Sequence, residues 1–122
     1  MSVYRALVIE DDIDLATIFS KAIEAGGYDV ETITNGKAAL ERLEGEAPAI
    51  VVLDMHLPGV DGISLHHKIK SEPRFKKTRV IIATADAVLA ETMQDGFDLI
   101  LLKPISYVQL RDLAKRLLPH EE

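Results

Sequence analysis

The sequence lacks cysteine and tryptophan, and aromatic residues make up only 5% of it. Without cysteine, neither a disulfide framework nor a thiolate metal site is possible, so nothing calls for an oxidising compartment. No apolar run approaches the roughly 20 residues that cross a bilayer. The N-terminus reaches Glu10 and Asp11 too early for the apolar core of a signal peptide. These absences predict a cytoplasmic protein without membrane insertion.

Positive charge is also in deficit, because 14 Lys and Arg residues face 20 Asp and Glu residues and give a net charge of −6. This balance disfavours sequence-independent nucleic-acid binding, and we expect no direct DNA binding. Five cations nonetheless fall close together in the chain: Lys70, Arg74, Lys76, Lys77 and Arg79. The run is interpreted as a solvated loop, with a docking patch for an acidic partner as the alternative.

Short apolar runs alternate five times with segments of helical spacing. The strands are predicted at Arg5–Ile9, Val30–Ile33, Ala49–Leu53, Arg79–Ala83 and Leu99–Leu102. The helices are predicted after the caps Asp12 or Asp14, Asn35, Asp61 and Ser106, with a weak helix over Ala87–Gln94. Gly26–Gly27, Gly45 and Pro119 end helices. This βα alternation predicts an α/β fold: one domain over residues 1–122, with a parallel sheet covered by helices on both faces and no output domain.

Side chains that can bind a metal or take part in a reaction stand where four of these strands end: Glu10 with Asp11, then Asp54, Thr84 and Lys103. Each alone has a structural explanation as a helix cap, a strand terminus or a solvated lysine. A parallel sheet gathers carboxyl ends at one edge, where ligands bind in open α/β sheets. Crowded carboxylates need a cation, and oxygen ligands without thiolates favour Mg²⁺. Together the four strand ends predict a metal-assisted site.

Asp54 is the candidate nucleophile at that edge. A metal-held carboxylate stays ionised and suits an electrophile that carries its own anionic oxygens, so a phosphoryl group fits best. Its transfer needs positioning and charge neutralisation more than covalent help. We expect the metal to neutralise one phosphoryl oxygen, Lys103 a second, and the Thr84 hydroxyl to bond the third.

These motifs resemble the receiver domains of two-component response regulators, the CheY-like family. The matching segments are VIEDD at 8–12, VVLDMHLPGVDG at 51–62, ATA at 83–85 and LLKP at 101–104. The resemblance covers the chain end to end and implies a flavodoxin-like (βα)5 sandwich with strand order 2-1-3-4-5. It also implies phosphorelay signal transduction, in which a histidine kinase or histidine phosphotransfer protein phosphorylates Asp54.

Further roles follow from the resemblance alone. It implies that Glu10, Asp11, Asp54 and the backbone carbonyl of His56 arrange the Mg²⁺ site, that Thr84 is the switch hydroxyl, and that Lys103 pairs with the phosphoryl group. His56 also stands at a position that tunes the phosphoryl lifetime in the family. Such a domain is not a conventional enzyme, although it assists its own phosphorylation and dephosphorylation. It switches an unknown downstream protein target as a monomer or weak dimer.

Two features depart from the family pattern. The chain between Thr84 and Gly96 is a few residues short, which predicts a stunted fourth helix, and Ile100 stands where the family often has Tyr or Phe. Both bear on the readout of phosphorylation and favour one alternative, a phosphorylation-independent protein-interaction module. A haloacid dehalogenase-type phosphatase is disfavoured, because His56 occupies the position of its second aspartate and no room remains for a cap domain.

Overall fold

The computed structural model describes residues 4–57, 60–92 and 99–119. Its five strands form one parallel sheet of order β2-β1-β3-β4-β5. Their bounds are β1 Tyr4–Ile9, β2 Tyr28–Ile33, β3 Ile50–Asp54, β4 Arg79–Thr84 and β5 Leu99–Leu102. The flavodoxin-like order that the resemblance implied is therefore confirmed.

Five α-helices follow the strands in turn: α1 Ile13–Ala25, α2 Gly36–Leu43, α3 Gly62–Ser71, α4 Ala87–Thr92 and α5 Tyr107–Arg116. Four predicted caps are confirmed, since side-chain oxygens of Asp12, Asn35, Asp61 and Ser106 accept backbone N–H groups of the first turns. Residues 93–98, which include the predicted end of α4 and the predicted shortening up to Gly96, lie outside the described residues. None of the described helices is long and apolar enough to cross a bilayer.

Two predictions about packing were wrong in detail. β2 begins at Tyr28 instead of Val30, because Tyr28 is buried against α5 and its hydroxyl donates to Ala114 O at 2.9 Å. On α3 the sequence spacing predicts one inner face with Ile63, His66 and Ile69, but the Ile63 side chain is 50% exposed, whereas Leu65 and Ile69 are buried. Successive helical residues point about 100° apart, so the buried stripe on Leu65 carries Ile63 out to solvent.

Apolar layers cover both faces of the sheet. On one face α1 and α5 supply Phe19 and Leu110, and on the other α2 and α3 supply Leu43 and Leu65. Strand β3 contributes to both layers and is buried along its whole length. A central strand covered on both sides reads as a continuous apolar run, and this is why the sequence located β3 so closely.

Gly62 lies where α3 begins, close to the end of β3. A Cβ on Gly62 would lie 2.5 Å from the Cα of Met55, so only glycine allows α3 to begin this close to the residue after Asp54. The Asp61 carboxylate caps the same turn by accepting from Ile63 N at 2.9 Å. The missing side chain of Gly62 and the cap at Asp61 thus allow α3 to begin against the end of the central strand.

Candidate functional site

The strand register brings the predicted site residues to one edge of the sheet. Asp54 pairs with Ala83, the residue before Thr84, and Thr84 pairs with Leu102, the residue before Lys103. On the other side of β3, Leu53 pairs with Ile9, so Glu10 is the neighbour of Asp54 across the strands. The parallel sheet therefore assembles one site from four separate segments of the chain.

Three carboxylates cluster at this edge. Oxygen atoms of Glu10, Asp11 and Asp54 all lie within 4.8 Å of one another. Glu10 and Asp54 are almost fully buried, whereas Asp11 is exposed to solvent. The backbone N–H of His56 donates to Asp54 Oδ1 at 3.1 Å, which orients the carboxylate of Asp54. The side chain of His56 is exposed and belongs to the rim of the site.

Lys103 is the cation of the site. Its Nζ lies 2.8 Å from Glu10 Oε1 and 3.6 Å from Asp54 Oδ1, and its own N–H donates to Thr84 O at 2.7 Å. Burial lowers the pKa of the Lys103 ammonium, but the hydrogen bond to Glu10 and the charge of Asp54 outweigh burial and raise it. Lys103 is thus held protonated beside both buried acids.

Among the described carboxylates, Glu10 is the one whose pKa is raised. Burial, together with the neighbouring Asp54, raises the pKa of Glu10 to about 7, although the hydrogen bonds from Lys103 and from the N–H of Asp12 lower it. One lysine does not balance three acids, and every side-chain donor in the cluster is an oxygen. Such a set fits a small hard divalent cation, so the residues present are compatible with Mg²⁺.

The Thr84 hydroxyl is completely buried at the end of β4. Its Oγ1 accepts from the backbone N–H of Asp86 at 3.0 Å. The carboxylate of Asp86 in turn accepts from Val88 N and Leu89 N, both at 3.0 Å, and caps α4. Sequence reasoning missed this cap, although an aspartate directly before a helix is the signal for it. A displacement of Thr84 would therefore move Asp86 and with it the start of α4.

Ile100 lies on β5 beside Ile82 of β4 and packs, half buried, against the apolar layer that α2 and α3 cover. Leu89 of α4 packs against the same layer. An aliphatic side chain therefore stands at the position where the resemblance led us to look for an aromatic ring. It contributes to the core and offers no hydroxyl or ring to a partner.

Comparison with known proteins identifies the arrangement. The response regulator receiver domain family matches residues 6–115, nearly the whole chain. The chain belongs to this family. Among curated relatives, the Sporulation initiation phosphotransferase F of Bacillus subtilis is 31% identical over 119 residues, which cover 94% of each protein.

Other relatives are longer. The Phosphate regulon transcriptional regulatory protein PhoB of Rhizobium meliloti is 32% identical over 117 residues, which are 93% of this chain and 52% of that protein. The chain thus spans about half the length of this relative. Among solved structures, the BeF3-activated receiver domain of DrrB, a Thermotoga maritima protein, has a TM-score of 0.82 at 27% identity, with 96% of this chain and 98% of that one covered.

Proposed function

We propose that the protein is a phosphorelay receiver in which Asp54 accepts a phosphoryl group in a Mg²⁺-dependent reaction. One observation carries the proposal: a nearly fully buried Asp54 shares an edge with Glu10, Asp11 and the Lys103 ammonium, which lies 3.6 Å from its Oδ1. A buried carboxylate with a cation on one side and further acids on the other suits charge-neutralised phosphoryl transfer. A cluster that served only as a structural ion pair would not need the third acid, Asp11.

In this account each residue has its own role. Asp11 and Asp54 would hold Mg²⁺ directly, with the backbone carbonyl of His56, and Glu10 would support the site from its buried position. When bound, the metal neutralises charge that develops on the transferred group. Lys103 binds and orients a phosphoryl oxygen through its ammonium, and Thr84 donates its hydroxyl to another oxygen once it has moved towards Asp54.

The proposed phosphoryl donor is a histidine kinase or a histidine phosphotransfer protein. The proposed effect of phosphorylation is a change in affinity for a downstream protein. A cytoplasmic location and a monomer or weak dimer stay predictions. The domain assists its own phosphorylation and dephosphorylation without being an enzyme in the conventional sense. A relative named as a phosphotransferase and others named as transcriptional regulators support a phosphorelay role.

The test is the intact mass of the protein after incubation with acetyl phosphate and Mg²⁺. We expect a gain of one phosphoryl group in wild type, none in Asp54→Asn, and none in wild type when a chelator removes the metal. Asp61→Asn is the matched control, because Asp61 lies seven residues further on and caps α3. No gain in wild type with metal present would refute the proposal.

A phosphorylation-independent interaction module remains the second candidate, and the packing of Ile100 in the apolar layer favours it. An aliphatic residue lacks the ring rotation that would couple Thr84 to the outer face of β5. Amide NMR spectra with Mg²⁺, with and without beryllium fluoride, separate the two. Shifts confined to Asp54, Thr84 and Lys103 would favour the module, whereas shifts that extend through α4 and β5 favour the switch.

A further inference from the structure

A cavity of about 580 Å³ lies at the opposite edge of the sheet from the carboxylates. The starts of β1 and β4, the segment before β3 and the end of α5 form its walls. The length of β3 separates it from Asp54, about 15 Å at the usual rise per strand residue. Its volume falls within the range of small-molecule sites, so it is large enough for a ligand that the proposed phosphoryl chemistry does not use.

Positive charge is concentrated around this cavity. Among the described residues that line it, one is acidic, Glu46, and five are cationic: Arg5, Arg74, Lys77, Arg79 and Arg116. A chain with a net charge of −6 thus places five of its 14 Lys and Arg residues around a single cavity. Three of them, Arg74, Lys77 and Arg79, come from the basic run that the sequence left without a function.

Most of this charge is available to a ligand. Arg5 lies 3.7 Å from Asp29, and Arg74 pairs with Glu72 at 3.1 Å. Within residues 4–57, 60–92 and 99–119, Lys77, Arg79 and Arg116 have no acidic partner. Their guanidinium and ammonium groups are therefore free to bind a carboxylate, sulfonate or phosphate, and arginine does so bidentately.

Apolar side chains form one wall of the cavity. Pro48, Leu117 and Leu118 contribute hydrocarbon surface, and Leu117 and Leu118 pack against the core layer of α1 and α5. The backbone beneath is already bonded: the Thr78 hydroxyl donates to Pro48 O at 2.7 Å and Arg79 N donates to Ala49 O at 2.9 Å. Recognition must therefore come from the cationic side chains and the apolar wall together.

We propose that this cavity binds a small organic anion, a carboxylate or phosphate ester that carries an apolar group. The apolar part rests on the wall of Pro48, Leu117 and Leu118, and the anionic part meets the cations of the rim. The site lies at the other end of the strands from Asp54 and shares no lining residue with the proposed phosphorylation site.

The test is a fluorescence titration of the full chain with 8-anilinonaphthalene-1-sulfonate, an aromatic sulfonate that matches the proposed chemistry. We expect one binding site, weakened about tenfold in the double variant Lys77→Gln/Arg79→Gln. The control is Lys21→Gln/Lys37→Gln, which removes two exposed cations outside the cavity and should bind like wild type. Equal affinity in both double variants, or no binding by wild type, would overturn the proposal.

Competition then tests the ligand class. Decanoate and phenyl phosphate carry apolar groups, while inorganic phosphate carries charge alone. Displacement by decanoate assigns a fatty carboxylate, and displacement by phenyl phosphate assigns a phosphate ester. Displacement by phosphate at the same concentration, or by none of the three, would contradict an apolar-anion site. Thermal unfolding and the acetyl phosphate assay verify that each variant is folded and still accepts phosphoryl at Asp54.

Discussion

Lys103 lies closer to Glu10 than to Asp54: its Nζ is 2.8 Å from Glu10 Oε1 and 3.6 Å from Asp54 Oδ1. Two buried carboxylates thus share one ammonium, and the acid next to Glu10 in the chain, Asp11, is exposed beside them. Burial raises the pKa of Glu10 to about 7, so Glu10 is the acid whose protonation relieves this crowding of negative charge. The stability of the protein should therefore depend on pH and on divalent cations through this residue.

The first prediction concerns pH. The Glu10 pKa in the folded protein is about 7 against an ordinary value of 4.5, so the folded state binds the proton more tightly than the unfolded state. Its contribution to stability is fully present below the ordinary pKa and is lost as pH rises through about 7. Urea unfolding without metal should show wild type losing stability relative to Glu10→Gln between about pH 5 and pH 8. A constant difference between the two proteins would contradict this.

Removing the shared cation gives the second prediction. Lys103→Met leaves Glu10 and Asp54 buried without a counter-charge, and this should cost about 3 kcal/mol of unfolding free energy at pH 8. The loss should shrink at pH 5, where Glu10 binds a proton. Urea unfolding at both pH values measures it. Lys115→Met, at an exposed position of α5, is the control and should change stability little at either pH. An equal loss at both pH values would exclude charge as the cause.

Mg²⁺ supplies the third prediction. A divalent cation that binds the acidic cluster of the folded state alone stabilises it by mass action. The midpoint of thermal unfolding should rise with Mg²⁺ at pH 8 and rise less at pH 5, since protonation of Glu10 removes negative charge from the metal site. Asp11→Asn should abolish the rise, while Asp29→Asn, at the far end of β2, should retain it. A Mg²⁺ effect that survives Asp11→Asn would place the ion elsewhere.

Much of the fold was predictable because its signals are local. The continuous apolar run of β3, the caps Asp12, Asn35 and Asp61, and the breaks at glycine and proline all act within a few residues. The side chains at the strand ends were predictable as a set, because a parallel sheet must gather them at one edge. Ile63 was misplaced because helical spacing alone does not choose between two overlapping apolar stripes.

What the sequence did not reveal depends on contacts between distant segments. The closer approach of Lys103 to Glu10 than to Asp54 follows from the packing of side chains across three strands. The cavity at the other edge brings the basic run together with Arg5 and Arg116. Arg5 precedes Arg74 by 69 residues, and Arg116 follows Arg79 by 37 residues. No local sequence pattern indicates that these distant segments lie together in the fold.

Tyr28 provides a prediction about stability. Its buried hydroxyl donates to Ala114 O and ties β2 to α5, so Tyr28→Phe leaves that carbonyl without this donor and should cost about 1 kcal/mol. Burial also raises the pKa of Tyr28 to about 12. Spectrophotometric titration should show one tyrosine ionising late in wild type and none in the variant. A late transition that persists in Tyr28→Phe would belong to another tyrosine.

Gly62 provides a prediction about the site. In Gly62→Ala the new Cβ would meet the backbone of Met55, at 2.5 Å from its Cα, and the helix start and the residue after Asp54 must move apart. We expect a loss of about 2 kcal/mol of unfolding free energy, together with slower phosphorylation by acetyl phosphate. Gly45→Ala is the control, since its Cβ would approach Arg42 O only to 3.3 Å in an exposed turn. Phosphorylation at the wild-type rate in Gly62→Ala would show that the loop tolerates the shift.

The central claim is that Asp54 itself carries the phosphoryl group, and chemical mapping tests it most directly. Borohydride reduces an aspartyl phosphate to homoserine, which marks the acceptor permanently. After reaction with acetyl phosphate and Mg²⁺, reduction and trypsin digestion, Asp54 and Asp61 fall in one peptide, so fragmentation within that peptide must separate them. The account predicts homoserine at position 54. Homoserine at Asp11 or Asp61 instead, or at no aspartate, would contradict it.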